Sequence, residues 1–277
     1  MVLHHYRPLP ELRFFISRIM LVHYQLDTSK PRPVNPFPPQ PDHCLYFYPY
    51  DKMSSFNYAT RLTGVAPRSM LIGPQLSRVD LTMGYNQLTI MVSFQPGGMH
   101  RLLNIPMKEM TDQPFDAALF LGNDIDSISQ RLGETADYDL MIDIIQSYLL
   151  GKVSMLKSIL PVEQVLMQNI QNGDLNNIDR LAKQSCVSTR QLERQFLERI
   201  GMPPKFFARL VRFSKAWYMR ESNEDISWLS IAHSCGYADQ MHMIRDFKAF
   251  SGVTPTGLQS YLEKSPLRLQ RDSGFPA

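Results

Sequence analysis

No apolar run in the 277 residues approaches the length of about 18 that a membrane span needs. The longest candidate, Phe14–Leu26, is interrupted by Arg18 and His23. Pro8, Pro10, Glu11 and Arg13 stand where an export signal requires a basic start and an apolar core, so neither a membrane partner nor export is expected. Cysteine is scarce. Cys44, Cys186 and Cys235 are odd in number and far apart, which offers no disulfide framework and no zinc-ligand spacing. A cytoplasmic protein is expected. Catalytic signatures are missing too: there is no G-x-G-x-x-G, no phosphate-binding Walker loop and no H-E-x-x-H. Ser154–Lys157 fits S-x-x-K but lacks the S-D-N and K-T-G that accompany it in enzymes. His4, His5, His23, His43 and His100 are scattered, and on a strand the adjacent His4 and His5 would face opposite sides. No enzyme activity, metal or cofactor is expected. Disorder is also excluded, since 44% of the residues are hydrophobic and only 20% charged.

The net charge of +3 hides an asymmetry. Residues 174–220 hold 10 Lys/Arg against 4 Asp/Glu, whereas residues 221–264 hold 3 against 6. A basic block inside a near-neutral chain points to a polyanionic partner.

The first 135 residues read as strands and turns. His43–Pro49, Arg68–Ile72, Val79–Met83 and Gln87–Phe94 are aromatic and β-branched, punctuated by Gly64, Gly73-Pro74, Gly84 and Pro96-Gly97-Gly98. This spacing suggests a small barrel or sandwich. Lys30–Pro41 has six prolines in twelve residues and is expected to be an extended arm rather than an element. Tyr46, Tyr48 and Tyr50 would share one strand face, as barrel core or as the lining of an apolar ligand pocket. From Asp124 the period becomes helical, with apolar faces Leu140, Ile144, Ile145, Tyr148 and then Val162, Val165, Leu166, Ile170. These faces are the expected homodimer contact.

The C-terminal hundred residues repeat themselves. Leu181-Ala182 matches Ile231-Ala232 at an offset of 50. Ser188, Leu192, Arg194, Phe196, Gly201 and Pro204 match Asp239, Met243, Arg245, Phe247, Gly252 and Pro255 at 51. Each copy reads as helix, tight turn, helix, glycine stop, proline start, which is the pattern of a helix-turn-helix. Ser188 and Asp239 have the chemistry of helix N-caps, and Gly201 and Gly252 that of C-terminal stops. Cys186 and Cys235 are expected in the cores of the two turns. Pro204–Arg220 runs without an interior breaker and would hold the copies apart by about 26 Å, so two recognition helices can reach major grooves one turn of DNA apart.

These residues, with Cys235-Gly236-Tyr237, resemble the DNA-binding domain of the AraC/XylS family of transcription regulators over about residues 174–262. Met243 departs from the family's usual Phe, and Leu258 from its usual Tyr. The resemblance implies that Thr189, Arg190, Glu193 and Arg194 of the first unit face bases or phosphates. In the second unit it implies Gln240, Met241, Ile244 and Arg245, among which Met241 and Ile244 replace the usual polar readers. Arg can bridge guanine, Gln adenine, and Met can touch a thymine methyl. It also implies an N-terminal cupin-like β-barrel, a small-molecule effector, a homodimer and contact with RNA polymerase. The expected architecture is α+β and multidomain. A cupin-like domain would span 1–135, a helical connector 136–173, an all-α double helix-turn-helix 174–264 and a tail 265–277. Two alternatives remain: a metal-free barrel enzyme tethered to DNA, and a regulator whose N-terminal domain only dimerises.

Overall fold

A computed structural model describes residues 1–153, 158–172, 175 and 177–262. The S-x-x-K tetrapeptide at 154–157 and the tail at 265–277 lie outside the described residues. The N-terminal strands are β1 (Val2–Tyr6), β2 (Ile16–Gln25), β3 (Val34–Phe37), β4 (Cys44–Phe47) and β5 (Ser54–Asn57). They continue with β6 (Thr63–Val65), β7 (Ser69–Ile72), β8 (Val79–Thr82), β9 (Asn86–Phe94) and β10 (Pro114–Asp116). They form two antiparallel sheets, ordered β1-β2-β9-β4-β7-β10 and β3-β8-β5-β6. Helices α1 (Gly98–Leu103), α2 (Ala118–Leu121), α3 (Asn123–Gly133) and α4 (Tyr138–Gly151) follow β9.

Side-chain alternation on the large sheet builds two cores at once. Ile19, Leu21, Leu45, Phe47, Ile90 and Val92 point to one face, where α3 (Ile125, Ile128, Leu132) and α4 (Met141, Ile142, Ile145, Leu149) cover them. Met20, Val22, Tyr24, Cys44, Met70 and Met91 point to the other, where Leu81 and Phe37 of the small sheet and Met83 just beyond β8 meet them. A sheet covered on both faces explains why β2 reads as an apolar run rather than an alternation.

Two expectations need correction here. The proline-rich arm contains a strand, since Val34, Asn35, Pro36 and Phe37 pair with Thr82, Leu81, Asp80 and Val79. Proline is tolerated because β3 is an edge strand and needs to donate on one side only. The apolar faces assigned to a homodimer are mostly consumed within the chain. Ile144 and Ile145 lie in the N-terminal core, and Val162 and Leu166 in the C-terminal one, while Leu140 remains 46% exposed. An amphipathic stripe records that a face is buried, not what buries it.

The C-terminal region comprises α5 (Pro161–Asn172), α6 (Ile178–Gln184), α7 (Thr189–Arg199), α8 (Pro204–Ser222), α9 (Trp228–Ser234), α10 (Gln240–Ser251) and α11 (Pro255–Leu262). They share one core. Leu181, Leu192 and Phe196 of the first unit and Ile231, Met243 and Phe247 of the second pack on Phe207, Leu210, Phe213 and Trp217 of α8. Its 19 residues make a strut of about 28 Å. Two of the departures from the pattern of the resembled family, Met243 and Leu258, are fully buried and fill the core as apolar residues should.

Candidate nucleic-acid interface

The two units close their turns with the same hydrogen bonds. Val187 N–H donates to the Ala182 carbonyl at 3.0 Å and Tyr237 N–H to the Ala232 carbonyl at 3.0 Å. Cys186 N–H reaches the Lys183 carbonyl and Gly236 N–H the His233 carbonyl, both at 3.1 Å. This is the paired arrangement that ends a helix on a left-handed residue. Cys186 and Gly236 accordingly have φ of 54° and 74°. Cys235 is buried as expected, and burial pushes its thiol up to about 11. Cys186 is not a core residue but exposed. At the 50-residue offset it corresponds to Gly236, while the partner of Cys235 is the buried Ser185.

Each turn delivers a capped recognition helix. The Ser188 hydroxyl accepts from Gln191 N–H at 3.2 Å, and the Gln191 side chain accepts from Ser188 N–H at 3.0 Å, a reciprocal capping box. Asp239 accepts from His242 N–H. With Leu192 and Phe196 turned inward, α7 exposes Thr189, Arg190, Glu193 and Arg194. With Met243 and Phe247 turned inward, α10 exposes Gln240, Met241 and Arg245, whereas Ile244 is half-buried. Thr189 is already engaged, donating to Asp179 of α6 at 3.2 Å.

Charge is distributed differently from the sequence count. Asp246 does not face outward beside Arg245. It is 1% exposed and bound by Arg209 of α8 through Nε at 3.0 Å and Nη2 at 2.7 Å. One cation of the basic block therefore neutralises an anion of the second unit. Arg199 and Arg220 are also buried, the latter donating to the Ile226 carbonyl at 2.9 Å. What remains on the surface of the described residues is Arg180, Lys183, Arg190 and Arg194 in the first unit, against Arg245 and Lys248 in the second. Lys183 was not among the residues the resemblance singled out; the repeat aligns it with His233, also exposed, and that pairing was the available signal.

In the N-terminal domain Tyr46 and Tyr48 stack with ring centroids 6.1 Å apart on the inter-sheet core, where burial pushes both phenols well up. Tyr50 does not join them. The chain leaves β4 after Phe47, and Tyr50 packs on the opposite core, its hydroxyl donating to the Thr135 carbonyl at 3.2 Å. His43 and His100 are buried against backbone carbonyls, and His4 and His5 both line an open cleft of about 410 Å³ with Tyr6, Asp137, Tyr138 and Asp139. Among the described residues no group of three or more His, Cys, Asp or Glu is placed to hold a metal ion. No helix among them is long and apolar enough to cross a membrane.

Comparison with known proteins matches residues 181–260 to the helix-turn-helix domain and residues 4–116 to a domain of unknown function (DUF6597). The HTH-type transcriptional regulator ArgR of Pseudomonas aeruginosa is 34% identical over 93 residues, 34% of this chain and 28% of that protein. The HTH-type transcriptional activator RhaS of Pectobacterium atrosepticum is 33% identical over 91 residues, 32% of each. The matched stretch is thus about a third of the length of either relative. Among solved structures, unsaturated fatty acid bound ToxT from Vibrio cholerae aligns with a TM-score of 0.49 at 14% identity, over 90% of this chain and 96% of that one. The C-terminal region is thus similar to the helix-turn-helix domains of these transcription regulators, in line with the AraC/XylS resemblance of its sequence.

Proposed function

We propose that this protein is a cytoplasmic, sequence-specific DNA-binding transcription regulator whose two recognition helices read half-sites about one helical turn apart. The observation that carries this reading is the duplicated turn geometry, which presents the N-terminal halves of α7 and α10 outward with Arg190, Arg194, Gln240, Met241 and Arg245 exposed. Phosphate contacts position such helices and base contacts specify the site. The test is capture and sequencing of genomic fragments by the full chain, followed by titration of a captured duplex at several salt concentrations. Log affinity should fall steeply and linearly with log salt as counterions are released. A folded protein with no salt-dependent duplex binding refutes the reading.

The two facing sheets are read as the cupin-like sensing module. Their shared interior is rich in methionine (Met20, Met53, Met70, Met83, Met91), and the buried Tyr48 hydroxyl has no hydrogen-bond partner there. Soft side chains around one free phenol suit a largely apolar effector with a polar end. A ligand that binds only the folded state raises the midpoint of thermal unfolding, so a thermal-shift screen of the full chain identifies it. The proposed homodimer would use what α4 leaves outside, Leu140 and Leu150, and sedimentation that finds only monomer at tens of micromolar removes it.

A further inference from the structure

The equivalent glycines that end the two recognition helices sit in opposite surroundings. Gly201 and Gly252 both have positive φ, 89° and 74°. A Cβ on Gly252 would meet nothing within 4 Å. One on Gly201 would lie 2.4 Å from the Met107 carbonyl oxygen and 2.8 Å from Thr111 Oγ1. The C-terminal end of α7 is thus pressed onto the N-terminal domain at the short 3-10 turn Met107–Glu109, and that of α10 is open.

The carbonyls that follow α7 have no partner within their own helix. Two side chains of the other domain satisfy them. His43 Nε2 donates to the Ile200 carbonyl at 3.0 Å, and Thr111 Oγ1 donates to the Gly201 carbonyl at 3.0 Å. His43 is buried, and burial pushes it down to about 4, so the ring is neutral. With a carbonyl as acceptor, its single N–H is on Nε2. On the same side, Arg199 lies 3.8 Å from Glu163 of α5, and His100 of α1 lies 3.9 Å from Glu198.

We propose that His43 and Thr111 are positioning residues for the first recognition helix: they fix the C-terminal end of α7 and so set the angle at which Arg190 and Arg194 are presented. This rests on the DNA-binding reading above. Base contacts in a helix-turn-helix come from the N-terminal part of the recognition helix, so a hold on its far end leaves the reading end free. The hold is also connected to the domain interior. His43 directly precedes β4, whose Cys44 and Tyr46 face the inter-sheet core, so a displacement of that strand is transmitted to the helix. Among the described residues the end of α10 shows no such attachment, and the second unit is the internal control.

The test uses the full chain with Thr111→Val, Thr111→Ser, His43→Leu and His43→Gln. Each is titrated against a captured duplex and against versions with either half scrambled. The first unit's half is the one whose scrambling hides the effect of Arg194→Ala. Losing one hydrogen bond should weaken binding through that half on the order of fivefold for Val and Leu. Ser and Gln, which keep a donor of similar reach, should restore it, and binding through the other half should not change. In the DNA-free protein, Val and Leu should also speed amide exchange over residues 196–202. Equal losses on both halves, or wild-type behaviour in both readouts, overturn the inference. If the wild type binds no duplex the DNA reading falls, and amide exchange alone then decides whether the hold exists.

Discussion

The two helix-turn-helix units differ less in their turns than in what supports them. Both close with the same backbone bonds and a left-handed residue at the equivalent position, Cys186 or Gly236. The second is held by its own region: Arg209 clamps Asp246, and Phe213, Trp217, Trp228 and Phe250 surround or flank the Phe247 side of α10. The first takes part of its support from another domain, through His43, Thr111 and the Met107–Glu109 turn. Local hydrogen bonding is enough to duplicate a motif, but the partner that immobilises each copy is free to differ. A recognition helix fastened to a second domain can be adjusted by that domain, whereas one fastened only to the strut follows the strut.

The most damaging test of this contrast is Arg209→Ala. It leaves the Asp246 carboxylate buried without its cation, and breaking a buried pair costs up to several kcal/mol. Because Arg209 is itself 39% exposed, we expect the lower part of that range, about 2 kcal/mol, read as a lowered denaturation midpoint. Fast amide exchange should be confined to α10, and an unchanged midpoint would mean that the second unit does not depend on the pair.

A smaller expected effect concerns DNA. Arg194→Ala should cost about 1–3 kcal/mol of binding if a bidentate base contact is lost, and more than Arg245→Ala. The asymmetry rests on the denser exposed cations around Arg194, since the charge of Asp246 is neutralised by Arg209. Titrating both variants decides it, and equal losses abolish the ranking.

The smallest effect is in the turns. Cys186 pays a steric penalty at φ 54° that Gly236 avoids at 74°. Cys186→Gly should therefore stabilise by about 0.5–1 kcal/mol, and Gly236→Ala should destabilise by about 1 kcal/mol or more. Paired denaturation curves are sufficient, and a lower midpoint for Cys186→Gly would show that the turn is relaxed with cysteine in place.

The sequence by itself determined whatever is set within a dozen residues. The repeat, the Ser188 and Asp239 caps, the glycine stops and the inward stripe of Leu192 and Phe196 all follow from local hydrogen bonds and helical period, and all are found. Only the tertiary structure decided the rest, because it depends on groups far apart in the chain. Val34–Phe37 becomes a strand by pairing with Val79–Thr82, more than forty residues away, and β1 and β2 likewise gain their identity from neighbours rather than from an alternating pattern. The helical segments at 136–173 look alike as amphipathic stripes, yet α4 joins the N-terminal core and α5 the C-terminal one. Tyr50 leaves its two neighbours because the strand ends at Phe47. Asp246 turns inward because a guanidinium 37 residues earlier is there to receive it. The contact of His43 with Ile200 joins residues 157 apart, and no local pattern encodes which carbonyl a buried imidazole will meet.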